Sequence, residues 1–199
     1  MARIADEERR AALLESIVDY VTANGLSDLS LRPLADAVGS SPRVLLYYFS
    51  SKEELITEIL ASARARQRAV FADLPTNPQS YAETVRAAWT LMSAPANEPV
   101  FRLFFEIYGL ALQDRKRYGL FLRHAVDDWL DYLERSALRD GHTKSDARAL
   151  ASILLAGYRG FLLDLCATRD RKRLARAVEL WILALDAIPS PEELLGNDR

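Results

Sequence analysis

Side chains that bind metals or carry redox chemistry are scarce in this chain of 199 residues, which has one cysteine, two histidines and two methionines. The lone Cys166 excludes an intramolecular disulfide and suits a reducing compartment. His124 shares a helical face with Asp127 and Asp128. A histidine and acids at that spacing more readily form a local hydrogen bond than a metal site. Also missing are the strings G-x-x-x-x-G-K, G-x-G-x-x-G, H-E-x-x-H and C-x-x-C, which carry phosphate, dinucleotide, zinc and thiol chemistry. The sequence therefore nominates no catalytic residue, no metal ligand and no cofactor. No run of about 18 or more uncharged apolar residues occurs, so no membrane span is expected. The opening MARIADEERR lacks the apolar centre of a signal peptide. A cytoplasmic protein is the expectation.

Glycine and proline are also few, eight of each, and they are concentrated at apparent breaks between segments of helical periodicity. With half of the residues hydrophobic, the chain is long enough for a substantial core and two subdomains. An all-α fold is expected throughout.

The most informative stretch is LRPLADAVGSSPRVLLYYFSSK, residues 31–52. Ser30 stands where an N-cap belongs, Pro33 is harmless in a first helical turn, and Leu31, Leu34, Ala35 and Val38 form an apolar face. Gly39 then ends that short helix. Ser41-Pro42 restarts a second, to about Tyr48, with Leu45, Tyr48 and Phe49 turned inward and Pro42, Arg43, Leu46 and Tyr47 outward. Ser51-Lys52-Glu53-Glu54 is a capping box that opens a long helix. Two short helices around a glycine turn make either an ordinary helical hairpin or a helix-turn-helix, whose second helix enters the DNA major groove.

The string LRPLADAVGSSPRVLLYYFSSKEELI resembles the DNA-binding signature of the tetracycline-repressor (TetR) family of regulators. The matching features are Ala35 and Gly39, Ser41, Tyr47-Tyr48-Phe49, and Ser51-Lys52-Glu53-Glu54-Leu55, in continuous register over about the first sixty residues. The resemblance implies a DNA-reading surface. Arg43 is then the outward cation for a guanine edge or a phosphate, and Val44 meets a thymine methyl. Tyr47 and Tyr48 offer hydroxyls to phosphates, with Tyr48 half core, and Ser41 both caps the helix and touches a phosphate. Lys52 and Arg32 match positions that grip phosphates. Leu46 departs from the pattern, since tyrosine is usual there, and it leaves an apolar side chain exposed.

Charge argues the other way. The net charge is −2, and residues 1–68 hold nine cations (Arg3, Arg9, Arg10, Arg32, Arg43, Lys52, Arg64, Arg66, Arg68) against ten acids. DNA binding then requires these cations on one face and the acids on another.

In chain order, Asp6 to Asn24 is expected as a helix with Leu13, Leu14, Ile17, Val18 and Val21 as its stripe. Residues 1–50 form the DNA-binding domain, and a connecting helix over 51–73 ends before Pro75-Thr-Asn-Pro78. A bundle of five helices fills 79–188: Tyr81–Ala94, Val100–Gln113, Arg115–Arg139, Lys144–Ala167 and Arg169–Ile188. A flexible tail follows over 189–199.

Trp89, Met92, Phe101, Phe105, Tyr108, Phe121, Trp129, Tyr158 and Phe161 are candidates to line an effector pocket between bundle helices, each being also a plain core candidate. Glu106, His124, Arg159 and Asp164 are candidate polar anchors. Ala156, Gly157 and Gly160 suit a close helix crossing, within or between subunits. The resemblance implies a four-helix homodimer interface from the last two long helices, with Trp181 among its residues. It also implies a repressor that leaves a roughly palindromic operator when a small apolar or aromatic effector binds. A helical carrier of apolar ligands that does not bind DNA is the competing reading. It explains the bundle and leaves the helix-turn-helix unexplained.

Overall fold

The computed structural model describes residues 2–26, 29–70, 74 and 81–186, with residues 2–5 and Tyr81 described as backbone only. Among these residues every regular element is helical. Helix α1, Ala2–Asn24, begins four residues before the expected Asp6. It is followed by α2, Leu31–Ala37, α3, Pro42–Phe49, and α4, Lys52–Val70. Next come α5, Tyr81–Met92, a 3-10 turn at Pro95–Asn97, and α6, Glu98–Gln113. Helices α7, Arg115–Arg139, α8, Lys144–Thr168, and α9, Arg171–Asp186, complete the order. The expected break at Pro75–Pro78, the end of the connecting helix at Asp73 and the tail over 189–199 lie outside the described residues.

The chain divides into two compact units. One is Met1–Ala69 with Pro99–Phe121, the other Val70–Glu98 with Leu122–Arg199. Residues 99–121, which the sequence pattern groups with the bundle, thus count with the N-terminal helices. Two side chains of α6 show why. Arg102 donates to the carbonyls of Thr22 and Ala23 at the end of α1, and Glu106 accepts from the Leu26 amide at 2.7 Å.

In the N-terminal unit the helical stripe of α1 buries Ile17, Val18 and Val21 completely, and Leu34, Ala35, Leu45, Phe49, Leu55 and Ile59 join them in the core. Each of these side chains larger than Ala35 contributes about 1.5–3 kcal/mol, so this apolar centre, and no single polar contact, holds the short helices α2 and α3 in place. From α6, Phe101, Leu103, Phe104 and Ile107 are buried as well.

The second unit is cored by Leu133, Leu154, Tyr158, Leu162, Leu174, Val178 and Ile182. Three of its buried hydroxyls find partners: that of Tyr158 donates to the Val85 carbonyl at 2.7 Å, and those of Ser136 and Thr84 lie 3.2 Å apart. Helix α8 is long and apolar enough to cross a membrane by length and composition alone, which the search for uncharged apolar runs does not reveal. It also carries Arg159 and Asp164 and buries one face in this unit, as a core helix does.

Candidate nucleic-acid interface

The turn between α2 and α3 is built as its residues dictate. Gly39 takes φ +64°, a left-handed value that lets the chain leave α2 without the strain a side chain would add. The Ser41 side chain accepts from the Val44 amide at 3.3 Å, with Pro42 at the first helical position. Ser30 has the extended backbone of an N-cap but makes no side-chain cap bond, a correction to its expected role. The Ser51 hydroxyl caps α4 by accepting from the Glu54 amide at 3.0 Å. The Ser51 amide itself donates back to the Phe49 carbonyl at 2.6 Å, closing a tight turn over Ser50 at φ 60°, ψ −43°.

Helix α3 divides as its pattern demands. Leu45 and Phe49 are buried, whereas Arg43 is exposed, Leu46 is 41 % exposed and Tyr47 73 %. Val44, Tyr48 and Lys52 are half-buried, and Ser41 and Arg32 are exposed. Arg32, Ser41, Arg43, Val44, Tyr47, Tyr48 and Lys52 all belong to one unit, on α2, on α3 with its N-cap and at the start of α4, and α2 packs against α3. Among the described residues, Arg32, Arg43 and Lys52 make no ion pair and no side-chain hydrogen bond.

Other cations of this unit are engaged in holding it together. Arg10 donates through Nε to the Tyr48 carbonyl at 3.3 Å, pairs with Glu58 and lies over the Phe49 ring, 5.1 Å from its centroid. Arg66 pairs with Asp19 at 2.6 Å and Glu15 at 2.5 Å. These bonds pin α4 to α1 and α1 to the end of α3. Asp6, one turn before Arg10, accepts from the Tyr48 hydroxyl at 2.8 Å, and that bond is the first cause that pushes the ionisation of Tyr48 up. These partners are far apart in sequence and leave no motif there. The only local signals are an acid and an arginine four residues apart, Asp6 with Arg10 and Glu106 with Arg102, which on a helix place both on one face.

Residues 13–59 match the sequence model of the bacterial regulatory proteins, tetR family. The chain carries a TetR-family DNA-binding domain. It is a DNA-binding regulator and not an enzyme. The nucleoid occlusion factor SlmA of Actinobacillus pleuropneumoniae serotype 5b (strain L20) is 25 % identical over 170 residues, covering 83 % of this chain and 84 % of that one. A transcriptional regulator of Rhodococcus sp. Rha1 has the same fold, with a TM-score of 0.76 at 18 % identity over 90 % of this chain and 99 % of that one. A TetR-family regulator of Cytophaga hutchinsonii does so with a TM-score of 0.76 at 17 % identity, over 93 % and 96 %.

The nine aromatic and methionine positions expected around a TetR-family effector fall into two sets. Phe101, Phe105, Tyr108 and Phe121 belong to the N-terminal unit, where Phe104 meets Phe105 edge-on and Tyr108 and Phe121 at a tilt, with ring separations of 5.4, 5.6 and 6.4 Å. Trp89, Met92, Trp129, Tyr158 and Phe161 belong to the second unit, where Trp181 meets Tyr158 at 5.6 Å and Phe161 at 5.3 Å, and Phe161 meets Trp89 at 6.0 Å.

The candidate polar anchors have other partners. Glu106 holds Leu26, Arg159 donates to the Ala125 carbonyl at 2.7 Å, and Asp164 accepts from Arg173 at 2.7 Å. His124 lies 3.8 Å from Asp128 on the surface of α7. Among the described residues no group of three or more His, Cys, Asp or Glu is placed to hold a metal ion. The Tyr132 hydroxyl in the second unit is buried without a hydrogen-bond partner among the described residues, and burial pushes its ionisation up.

On the dimerisation candidates, Gly157 lies directly under the Trp181 ring, so both residues serve a close approach of α8 and α9 inside the subunit. Ala156 and Gly160 are exposed, and a Cβ added at Gly160 meets nothing. Around them Ile153, Leu163, Leu180 and Leu183 are 44–57 % exposed.

Proposed function

We propose that this chain is a homodimeric transcriptional repressor that leaves its operator when a small apolar or aromatic effector binds. The observation that carries the DNA-reading part is the division of cations in the N-terminal unit. Arg10, Arg66 and Arg102 are bound within it, while Arg32, Arg43 and Lys52 around the recognition helix α3 have no partner among the described residues. The nearly balanced charge of the unit thus conceals an uneven arrangement, in which Glu15, Asp19 and Glu58 are paired internally. Arg43, Val44 and Tyr47 on α3 supply base-edge and phosphate contacts, and Arg32, Ser41 and Lys52 supply phosphate contacts from its flanks.

In this reading residues 1–50 read DNA, 51–73 connect, and 79–188 bind effector and dimerise through the exposed Ile153, Ala156, Gly160, Leu163, Leu180 and Leu183 of α8 and α9. A two-fold dimer sets two recognition helices on an approximately palindromic site. The effector parts the edge-on contacts of Trp89, Phe161 and Trp181. By linkage, DNA weakens effector binding by the same factor by which effector weakens DNA binding.

Selection of random duplexes by the purified protein and by Arg43→Ala tests the reading. A palindromic site recovered by the wild type and bound about ten- to a hundredfold more weakly by the variant is expected. No enrichment at low salt from a folded dimer returns the chain to the carrier reading. Quenching or shift of tryptophan fluorescence, with Trp89 and Trp181 in these contacts, reports effector binding in a screen against the recovered duplex.

The likeness to SlmA, which runs through the C-terminal half as well, favours a second reading in which the DNA-bound protein acts in nucleoid occlusion. Sites mapped across the chromosome separate the two. A repressor occupies a few promoters, whereas an occlusion factor occupies many dispersed positions.

A further inference from the structure

We propose that Asp6 limits the affinity of the recognition helix for DNA, standing in for a phosphate by holding the hydroxyl proton of Tyr48. The inference rests on the reading of α3 as the DNA-contacting helix. A phenol has one proton to donate, and a phosphate oxygen at neutral pH can only accept. In the free protein that proton points at Asp6 Oδ1, 2.8 Å away. A phosphate that approaches Tyr48 must therefore displace a carboxylate of its own sign of charge, and until it does so the two anions repel.

The arrangement is held in place rather than left to chance. Arg10, one turn further along α1, binds the backbone carbonyl of the same Tyr48 and covers the Phe49 ring beside it. Arg10 is itself tied to Glu58 of α4. Asp6 is thus carried over the end of α3 by neighbouring contacts, and its effective concentration at the hydroxyl is that of an intramolecular partner. The bond is open to solvent, so exchange with an external anion meets no steric barrier. The carboxylate holds the phenol in its protonated form, and the nearby Arg9 opposes that effect.

The family resemblance puts Tyr48 among the residues that donate to phosphate, and the sequence pattern leaves Asp6 within the first helix without a role. Together they make a donor that is occupied until DNA displaces the occupant. The affinity of wild-type protein is then lower than its exposed side chains alone suggest.

The test is a double-mutant cycle on the full chain, with a fluorescent mixed-sequence duplex of about 30 base pairs at low salt, where binding reports phosphate contacts alone. Asp6→Ala is expected to bind about five- to tenfold more tightly than wild type. Tyr48→Phe alone stays within about twofold of wild type, because its hydroxyl is already occupied. In the Tyr48→Phe background the Asp6→Ala gain shrinks to about twofold or less. Asp6→Asn, which removes the charge and keeps an acceptor, falls between wild type and Asp6→Ala. Thermal unfolding of each variant shows whether α1 stays docked.

An equal gain in both Tyr48 backgrounds means that charge acts alone and overturns the inference. No gain, or weaker binding, from Asp6→Ala overturns it while DNA binding by the wild type stands. Failure of wild type and Asp6→Ala alike to bind any duplex overturns it together with the DNA-reading function.

Discussion

Arg173 and Asp164 show at the residue scale how a surface pair becomes a measurable property. Arg173 Nη2 donates to Asp164 Oδ1 at 2.7 Å across the turn between α8 and α9, and the Thr168 hydroxyl adds a second bond at 3.1 Å from within α8. These bonds, the arginine first, lower the acid below its ordinary value of 3.8 against the opposing effect of burial. A carboxylate whose folded-state value is depressed stabilises the fold above its unfolded value and loses that contribution as the pH falls through the lower folded value. The expected outcome is an Asp164 carboxyl that titrates below the ordinary range by carbon NMR and returns to it in Arg173→Ala. Identical titrations in the two proteins would rule the pair out as its cause. Because both side chains are well exposed, the effect on stability is small.

At the scale of elements, α1 is a strut with an arginine clamp at each end. Near its start, its own Arg10 takes the carbonyl of Tyr48 at the end of α3. At its far end, its last carbonyls, from Thr22 and Ala23, are taken by Arg102 of α6. Both bonds satisfy carbonyls that a helix end leaves unpaired, and both bring a cation to the negative end of a helix dipole. Glu106 completes the second clamp at Gly25, where φ +89° turns the chain and leaves the acid against the glycine, so that the Leu26 amide reaches the carboxylate. Glu106→Ala is expected to raise the exchange rate of the Leu26 amide about tenfold or more in hydrogen-exchange NMR, while Ile17 and Val18 amides keep their protection. Unchanged Leu26 exchange would show that the clamp carries no local stability.

On the scale of the whole molecule, two glycines three residues apart on α8 have different duties. Gly157 admits the Trp181 ring within the subunit, whereas Gly160 opens outward beside the exposed Ile153, Leu163, Leu180 and Leu183. Gly157→Ala is expected to lower stability by about 1–3 kcal/mol through overpacking, seen as a reduced denaturant midpoint with the dimer mass retained. Gly160→Leu is expected to leave the monomer's melting behaviour intact and shift light-scattering mass toward monomer. A dimer mass unchanged by Gly160→Leu would place the subunit interface elsewhere.

Local features of the sequence were sufficient for the helical class, for most helix limits to within a few residues, and for the turn at Gly39 with its Ser41-Pro42 restart. Those depend on caps, glycine conformations and apolar spacing, which act over four residues or fewer. The resemblance in residues 31–56 likewise pointed to the family whose DNA-binding domain the match over residues 13–59 shows. Only the tertiary structure decided which cations remain available. Arg10, Arg66 and Arg102 look no different in sequence from Arg32 and Arg43, and their partners are 38 to 80 positions away. It alone decided that Gly157 faces inward and Gly160 outward, since residues three apart sit only about 60° from each other around a helix and what lies opposite depends on where α9 packs. It also decided that Tyr48, inward and half core by pattern and a phosphate donor by resemblance, already has an acceptor in Asp6, because a hydrogen bond across 42 residues exists only once α1 and α3 are side by side.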